Sequence, residues 1–335
     1  MNNMRHTSAV QIGPLRVGIV SNHPAHIPDF PGKIEVKSLL TDFLRIESFP
    51  YAEGLDGYIH IEEADEPPHC RFTEGTVTLR GPILELAGSA SDARFSLWGN
   101  QGLLYRFALH LLEIRHHIYN LHACALYSPQ ERVLFVIAGG AGSGKTVYLL
   151  SGLAQGLRLF STETVHLELK NNACRWHMGS LVDNIRLGTL KHDFPEFLPD
   201  IPLPPTDRVW QEKVALDLTS YRWTDELIQD PASIILLFPH IEMGRGEFLL
   251  NQILDKEKAA KRLFDNISEK PAESFVLYDT VGVPGFDNES AAQRRLDDIR
   301  EFVQNLRIRM IASVLSDPQH CWGDILTQTT QGDIT

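Results

Sequence analysis

The chain has 335 residues, with 43 acidic against 31 basic side chains and a formal net charge of −12. Hydrophobic residues make up 43% and charged residues 22%, which excludes a disordered chain, a collagen and a coiled-coil rod and leaves ample apolar mass for a core. The acidic balance disfavours nucleic acid as a partner, because such partners are held mainly by neutralising phosphates. In chain order, residues 1–100 read as a β-rich region of short strands at 15–20, 33–37, 43–49, 57–62, 76–80, 83–87 and 93–97. Turn residues such as Pro28, Pro31, Gly54, Pro67, Pro68 and Gly81 punctuate them. A helix is expected over 103–119, where Leu104, Phe107, Leu111 and Ile118 recur at helical spacing and Arg106, Glu113, Arg115 and His116 lie off that stripe.

The pattern then changes. A candidate strand at 120–127 and a turn at 128–131 lead to 133–138, a continuous apolar run with the β-branched bias of a strand buried on both faces. A glycine-rich loop, a helix at 147–155 ended by Gly156, and a strand at 157–161 follow. This strand–loop–helix–strand order is an α/β core, expected to occupy 101–317. Pro195, Pro199, Pro202, Pro204 and Pro205 make 194–205 a rigid loop or lid. Further strands are expected at 233–238 and 274–278, a late helix at 288–309 and a polar, frayed tail over 318–335. No run approaches the roughly 20 apolar residues of a membrane span, and the first twenty residues lack a signal-peptide pattern. Cys70, Cys124, Cys174 and Cys321 show no C-x-x-C spacing, which suits a cytoplasmic protein rather than a disulfide scaffold or zinc site.

The loop is the strongest signal. Gly139-Gly140-Ala141-Gly142-Ser143-Gly144-Lys145-Thr146 fits G-x-x-x-x-G-K-[ST] in full. Its backbone N–H groups are suited to cradle phosphate oxygens, Lys145 to sit between β- and γ-phosphates, and Thr146 to offer its hydroxyl to Mg²⁺. The helix that follows aims its N-terminus at the anion. This names a nucleotide ligand without naming a reaction.

His122 on the strand before the loop, the complete loop, and Gly156-Leu157-Arg158-Leu159-Phe160-Ser161-Thr162-Glu163 after its helix together resemble the HPr serine kinase/phosphorylase family. The likeness covers about 121–190. It implies an α/β P-loop core of the type shared with phosphoenolpyruvate carboxykinases, carrying here a β-rich N-terminal region. It further implies an ATP-dependent kinase that passes the γ-phosphoryl group to a hydroxyl, with ATP and Mg²⁺ as cofactors. The acceptor is then a serine or threonine of a protein or peptide, or a hydroxylated small molecule, and relatives are often homo-oligomers. The family's acidic pair after R-L supplies a base and a metal contact. Here Thr162 takes the first position and Glu163 the second, so Glu163 becomes the candidate base and metal ligand beside Thr146, with Asp183 or Asp279 as sources of a further carboxylate. Asp183-Asn184-Ile185-Arg186-Leu187-Gly188 loosely resembles the family's E-I-R-G-x-G segment, which would make Arg186, with His122, a stabiliser of phosphoryl charge. Arg245, in a glycine-flanked loop, is a weaker candidate for meeting an anionic substrate.

Two other readings stay open. Phe275-Val276-Leu277-Tyr278-Asp279-Thr280-Val281-Gly282 has the D-x-x-G form of a nucleotide switch, favouring a nucleotide-binding regulator or NTPase without an acceptor. Thr162 in place of an acid keeps alive a relative that binds nucleotide without catalysis.

Overall fold

The computed structural model describes residues 5–33, 42–73, 75–140, 142–170, 173–198, 207–242, 249–305, 308–315, 322–323 and 325–326. The chain divides into two compact units, one formed by residues 1–119 with 267–294 and the other by 120–266 with 295–335. Among the described residues no helix is long and apolar enough to cross a membrane.

The first unit begins with β1 (His6–Ile12) and β2 (Leu15–Ser21), a hairpin, followed by β3 (Pro31–Lys33), β4 (Arg45–Phe49), β5 (Gly57–Glu63), β6 (His69–Thr73) and β7 (Thr76–Gly81). They pair in the order β3-β4-β1-β2-β5-β7-β6, and β2, β5 and β7 run parallel. Period-2 alternation turns Val17, Ile19, Ile59, Ile61, Val77 and Leu79 into one core. The segment expected as a strand at 83–87 is instead helix α1 (Ile83–Ser89). Pro82 opens it, and proline's fixed φ favours helix entry over strand continuation. The strand expected at 93–97 is a 3₁₀ turn, Ala93–Phe95, closed by the Asp92 carboxylate accepting from the Arg94 N–H at 3.0 Å.

Helix α2 (Leu103–His116) buries every residue from 103 to 113. Leu104, Phe107 and Leu111 join the same core as the sheet and as Phe275, Leu277, Val281, Val283 and Phe286. This common core is why the unit runs past residue 100 and takes in 267–294, where the sequence placed a boundary near 100 and assigned α2 to the loop-bearing domain. Arg106, expected off the apolar stripe, is 2% exposed. Its guanidinium donates to Glu273 Oε2 at 3.0 Å and to the Lys270 and Glu273 carbonyls, and it lies over the Phe275 ring at 4.5 Å. The helix stops before the expected 119 because His117 adopts a left-handed φ of 56° and its N–H closes back on the last turn.

The second unit is built on β8 (Ile118–Ser128), β9 (Val133–Ala138), α3 (Lys145–Ala154), β10 (Arg158–Ser161), β11 (Thr164–Lys170) and β12 (Ala173–His177). These are followed by β13 (Val182–Arg186), β14 (Lys213–Asp217), β15 (Leu227–Gln229), β16 (Ser233–Ile241), β17 (Leu249–Gln252) and α4 (Lys256–Ala272). The chain then supplies β18 (Phe275–Leu277) and β19 (Val281–Val283), a hairpin of the first unit, before α5 (Glu289–Gln304) and β20 (Ile308–Leu315). The main sheet has the order β15-β12-β11-β8-β9-β16-β20-β17, with β10 paired to β8. Strands β9, β16 and β20 are parallel, and the glycine-rich loop leaves the carboxyl end of β9. The molecule is thus mixed α/β.

The late helix ends at Gln304 rather than 309: Ile308, Met310 and Ile311 are buried as β20 pairs with β16, and burial in a sheet overrides helical periodicity there. In the tail expected to fray, Trp322 and Ile325 are fully buried. The indole donates to the Tyr148 carbonyl at 2.7 Å and meets Phe135 edge-on, so one tryptophan anchors part of this segment to α3 and β9. Within the proline-rich stretch, Phe194 and Phe197 are buried around a 3₁₀ turn, and 199–206 lie outside the described residues.

Candidate active site

Strand β9 is buried along its whole length and delivers the loop to the sheet's carboxyl edge. Crevices at that edge are where open parallel sheets bind ligands. Gly144 has a φ of +102°, and a Cβ there would strike the Ile241 side chain at the end of β16. Lys145 begins α3, and its ammonium donates to the Gly139 and Gly140 carbonyls at 2.7 and 3.3 Å. Ala141 lies outside the described residues, as does Arg245.

The fit of this loop to a phosphate chain is visible in its own atoms. A Cβ built on Gly140 or Gly142 meets nothing within 4 Å, so the cradle is open on that side. Ser143 Oγ is buried without a hydrogen-bond partner, an orphan that an anion's oxygen would satisfy. The Thr146 hydroxyl donates to Asp183 Oδ2 at 3.4 Å.

Thr162 explains how an acid pair forms. It is 3% exposed and its hydroxyl faces the carbonyls of Ser180 and Val182 at 3.1 and 2.8 Å, while its N–H bonds Ser180 at 2.9 Å. Ser161 Oγ closes the same turn on the Thr164 carbonyl at 2.6 Å. Gly179 lets the two segments touch, since a Cβ there would overlap the Thr164 carbonyl oxygen. The turn after β10 is thereby tied to the start of β13, and Glu163 comes within hydrogen-bonding reach of Asp183. Asp183 is 3% exposed and its carboxyl is held well above the usual carboxylate range. Burial is the main cause, followed by the Glu163 charge and the hydrogen bond with it; the Asn184 N–H and Lys213 work weakly the other way.

His122 projects from β8, with Nε2 4.0 Å from Glu163 Oε2. Its backbone is gripped from α4: the His122 N–H donates to Asn266 Oδ1 at 2.9 Å and Asn266 Nδ2 donates to the His122 carbonyl at 3.1 Å. Two residues along β8, the buried Cys124 thiol points to the Lys145 carbonyl at 3.5 Å. Lys145, Thr146, Glu163, Asp183 and His122 therefore belong to one linked cluster.

Arg186 does not join it. Three positions after Asp183 on β13, it stands on the opposite face of that strand, exposed, and donates to the Trp210 carbonyl at 3.0 Å. Arg158 is exposed at the start of β10. Asp279 is fully exposed in the β18–β19 turn of the first unit, where it accepts from the Ser91 N–H at 2.7 Å; Tyr278 and Asp279 both take positive φ there. The D-x-x-G segment is a hairpin turn. Asn266 carried no sequence signal.

No cluster of three or more His, Cys, Asp or Glu side chains poised for a metal occurs among the described residues. Magnesium does not need one, because it is commonly held by one or two carboxylates together with substrate phosphates. Thr146, Glu163 and Asp183 would offer oxygen donors of that kind.

No family model matches the chain, and no curated protein matches it. Among solved structures, the Hpr(Ser) kinase/phosphatase from Coxiella burnetii is similar over 63% of this chain and 88% of its own, at 11% identity and a TM-score of 0.25. A score of that size carries no weight.

Proposed function

We propose that the chain is a P-loop phosphotransferase with an HPr-kinase-like core, passing the γ-phosphoryl group of ATP to a hydroxyl. The observation that carries the reading is the Lys145–Thr146–Asp183–Glu163–His122 cluster at the carboxyl end of β9. The loop N–H groups and Lys145 bind the triphosphate and hold it in line with the acceptor. Thr146 with Asp183 or Glu163 would hold Mg²⁺, which would supply charge that neutralises the phosphates. Glu163, the more exposed of the two acids, accepts the acceptor's hydroxyl proton. The acceptor oxygen bonds to the γ-phosphorus as the bridging P–O bond breaks, and ADP leaves with that electron pair. His122, its backbone fixed by Asn266, stands beside Glu163 and stabilises the charge that develops on the transferring phosphoryl group. The acceptor is a serine or threonine of a protein or peptide, or a hydroxylated small molecule.

The test is incubation with γ-labelled ATP, Mg²⁺ and candidate hydroxyl acceptors. Label should pass to an acceptor, Lys145→Ala should abolish transfer, and Glu163→Gln should lower kcat by about 10²–10⁴-fold with nucleotide affinity largely kept. Release of free phosphate with no labelled acceptor would favour an NTPase and overturn the kinase reading. Near-wild-type transfer by Glu163→Gln would remove Glu163 as base.

A further inference from the structure

The first unit has a ligand-sized cleft of its own. Strands β2, β5 and β7 run parallel, and their carboxyl ends, at Ser21, Glu63 and Gly81, emerge along one edge of the sheet. A cleft of about 320 Å³ opens there, lined among others by Arg5, Ser21, Asn22, His60, Glu62 and Arg80. Its position repeats the rule that parallel sheets bind small molecules beyond the carboxyl ends of their strands, and its volume is at the lower end of ligand pockets.

The polar groups around it are unevenly satisfied. Glu62 is paired with Arg80 at 3.2 Å, and Arg80 also reaches Glu66 at 2.7 Å. Glu63 meets His26 Nε2 at 2.8 Å and accepts from the Leu84 N–H at 3.2 Å. The Asn22 amide is spent on the Glu63 backbone, donating to its carbonyl at 2.9 Å and accepting from its N–H at 2.8 Å. The carboxylates are thus occupied. What remains is a set of donors: among the described residues Arg5 has no carboxylate partner, His60 no hydrogen-bond acceptor, and the Ser21 hydroxyl, whose oxygen accepts from the His23 N–H at 3.1 Å, still has its hydrogen to give. Burial, and then the Arg5 charge, hold His60 below the usual histidine range, so near neutral pH its ring is uncharged and offers one N–H. Three donors without acceptors around a ligand-sized space select a group that only accepts.

We propose that this cleft binds a small molecule through an oxyanion, a phosphate monoester or a carboxylate, with Arg5 as charge partner and His60 and Ser21 as neutral donors. The site is independent of what the glycine-rich loop binds. The experiment uses the full chain carrying Lys145→Ala, so that the loop's main phosphate contact is absent from every sample. Inorganic phosphate and succinate are titrated separately while the imidazole resonances of His60, assigned by their loss in His60→Gln, are followed by NMR. One of the two anions is expected to move those resonances to saturation, and which one does so identifies the anion class. Arg5→Gln should weaken that binding at least about tenfold, while Arg5→Lys, which keeps the charge, should retain part of it. Arg5 is exposed, so the variants should melt as the parent does. Resonances unmoved by either anion, or Arg5→Gln binding as tightly as the parent, would overturn the proposal.

Discussion

Asp183 is a buried carboxyl that shares a hydrogen bond with a second acid, an arrangement that holds it protonated to higher pH than in the unfolded chain. Its pKa in the folded protein therefore lies above the roughly 3.9 of an unperturbed aspartate. Between those two values the unfolded chain has released a proton that the folded chain retains. Stability is fully present below about pH 4 and falls as pH rises through the folded pKa, by at most about 1.4 kcal/mol per pH unit for this one group. In metal-free buffer, Asp183→Asn should remove this slope: its melting temperature should exceed that of the parent near neutral pH, and the two should converge near pH 4. Parallel curves would show that Asp183 ionises freely in the folded state. If the phosphotransferase reading holds, the same variant should also weaken Mg²⁺-dependent nucleotide binding, because a carboxylate proposed to hold the metal becomes an amide. A position that costs stability and serves a site is the trade expected where function rather than packing selects the residue.

At the scale of elements, the grip of α4 on β8 fixes where His122 can stand. Asn266 bonds both the N–H and the carbonyl of one strand residue, so Asn266→Ala removes two part-buried hydrogen bonds at once. The expected cost is about 1–3 kcal/mol in denaturant unfolding. If the phosphotransferase reading holds, kcat should drop with little change in nucleotide affinity, since the loop is untouched; equal losses in both would mean that the clamp supports the loop instead. These elements also show what a sequence can and cannot announce. The glycine-rich loop is legible because its atoms come from eight consecutive residues. Glu163 and Asp183 meet only because Thr162 ties its turn to Ser180 and Val182 and because Gly179 has no side chain, and neither contact leaves a local pattern. Asn266 lies 144 positions from His122, beyond any periodicity. Arg186 matched a motif by its neighbours, but strand alternation sets it on the face opposite Asp183. Residues 83–87 carry strand-like apolar spacing, and Pro82 decides for the helix.

At the scale of the whole chain, the first unit is discontinuous. Residues 267–294 return to complete a core begun by 1–119, supplying Phe275, Leu277, Tyr278, Val281, Val283 and Phe286. Phe286 lies 5.2 Å from the Phe72 ring and 5.6 Å from that of Phe107, so its absence strips aromatic contacts from both β6 and α2. A fragment of 1–119 alone should therefore lack a cooperative thermal transition by circular dichroism. The same fragment joined to 267–294 through a flexible linker should regain one. A cooperative melt of 1–119 by itself would show that the returning segment is dispensable. The β-rich character of the first hundred residues is legible from short alternating runs, but the return is not, because pairing between distant segments is set by the packed core rather than by neighbours in sequence.

The thiol beneath the loop carries a different consequence. Burial pushes the Cys70 and Cys174 thiols up to about 12 and raises that of Cys124 as well, so at neutral pH each of these three is almost wholly unionised. Alkylating reagents attack the thiolate, and Cys124 is in addition fully enclosed between its own strand and the first residue of α3. A label that enters at Cys124 can do so only while that enclosure is broken. The rate of its modification thus counts the moments at which β8 and the start of α3 part, and turns a silent side chain into a clock for the opening of the glycine-rich loop's foundation.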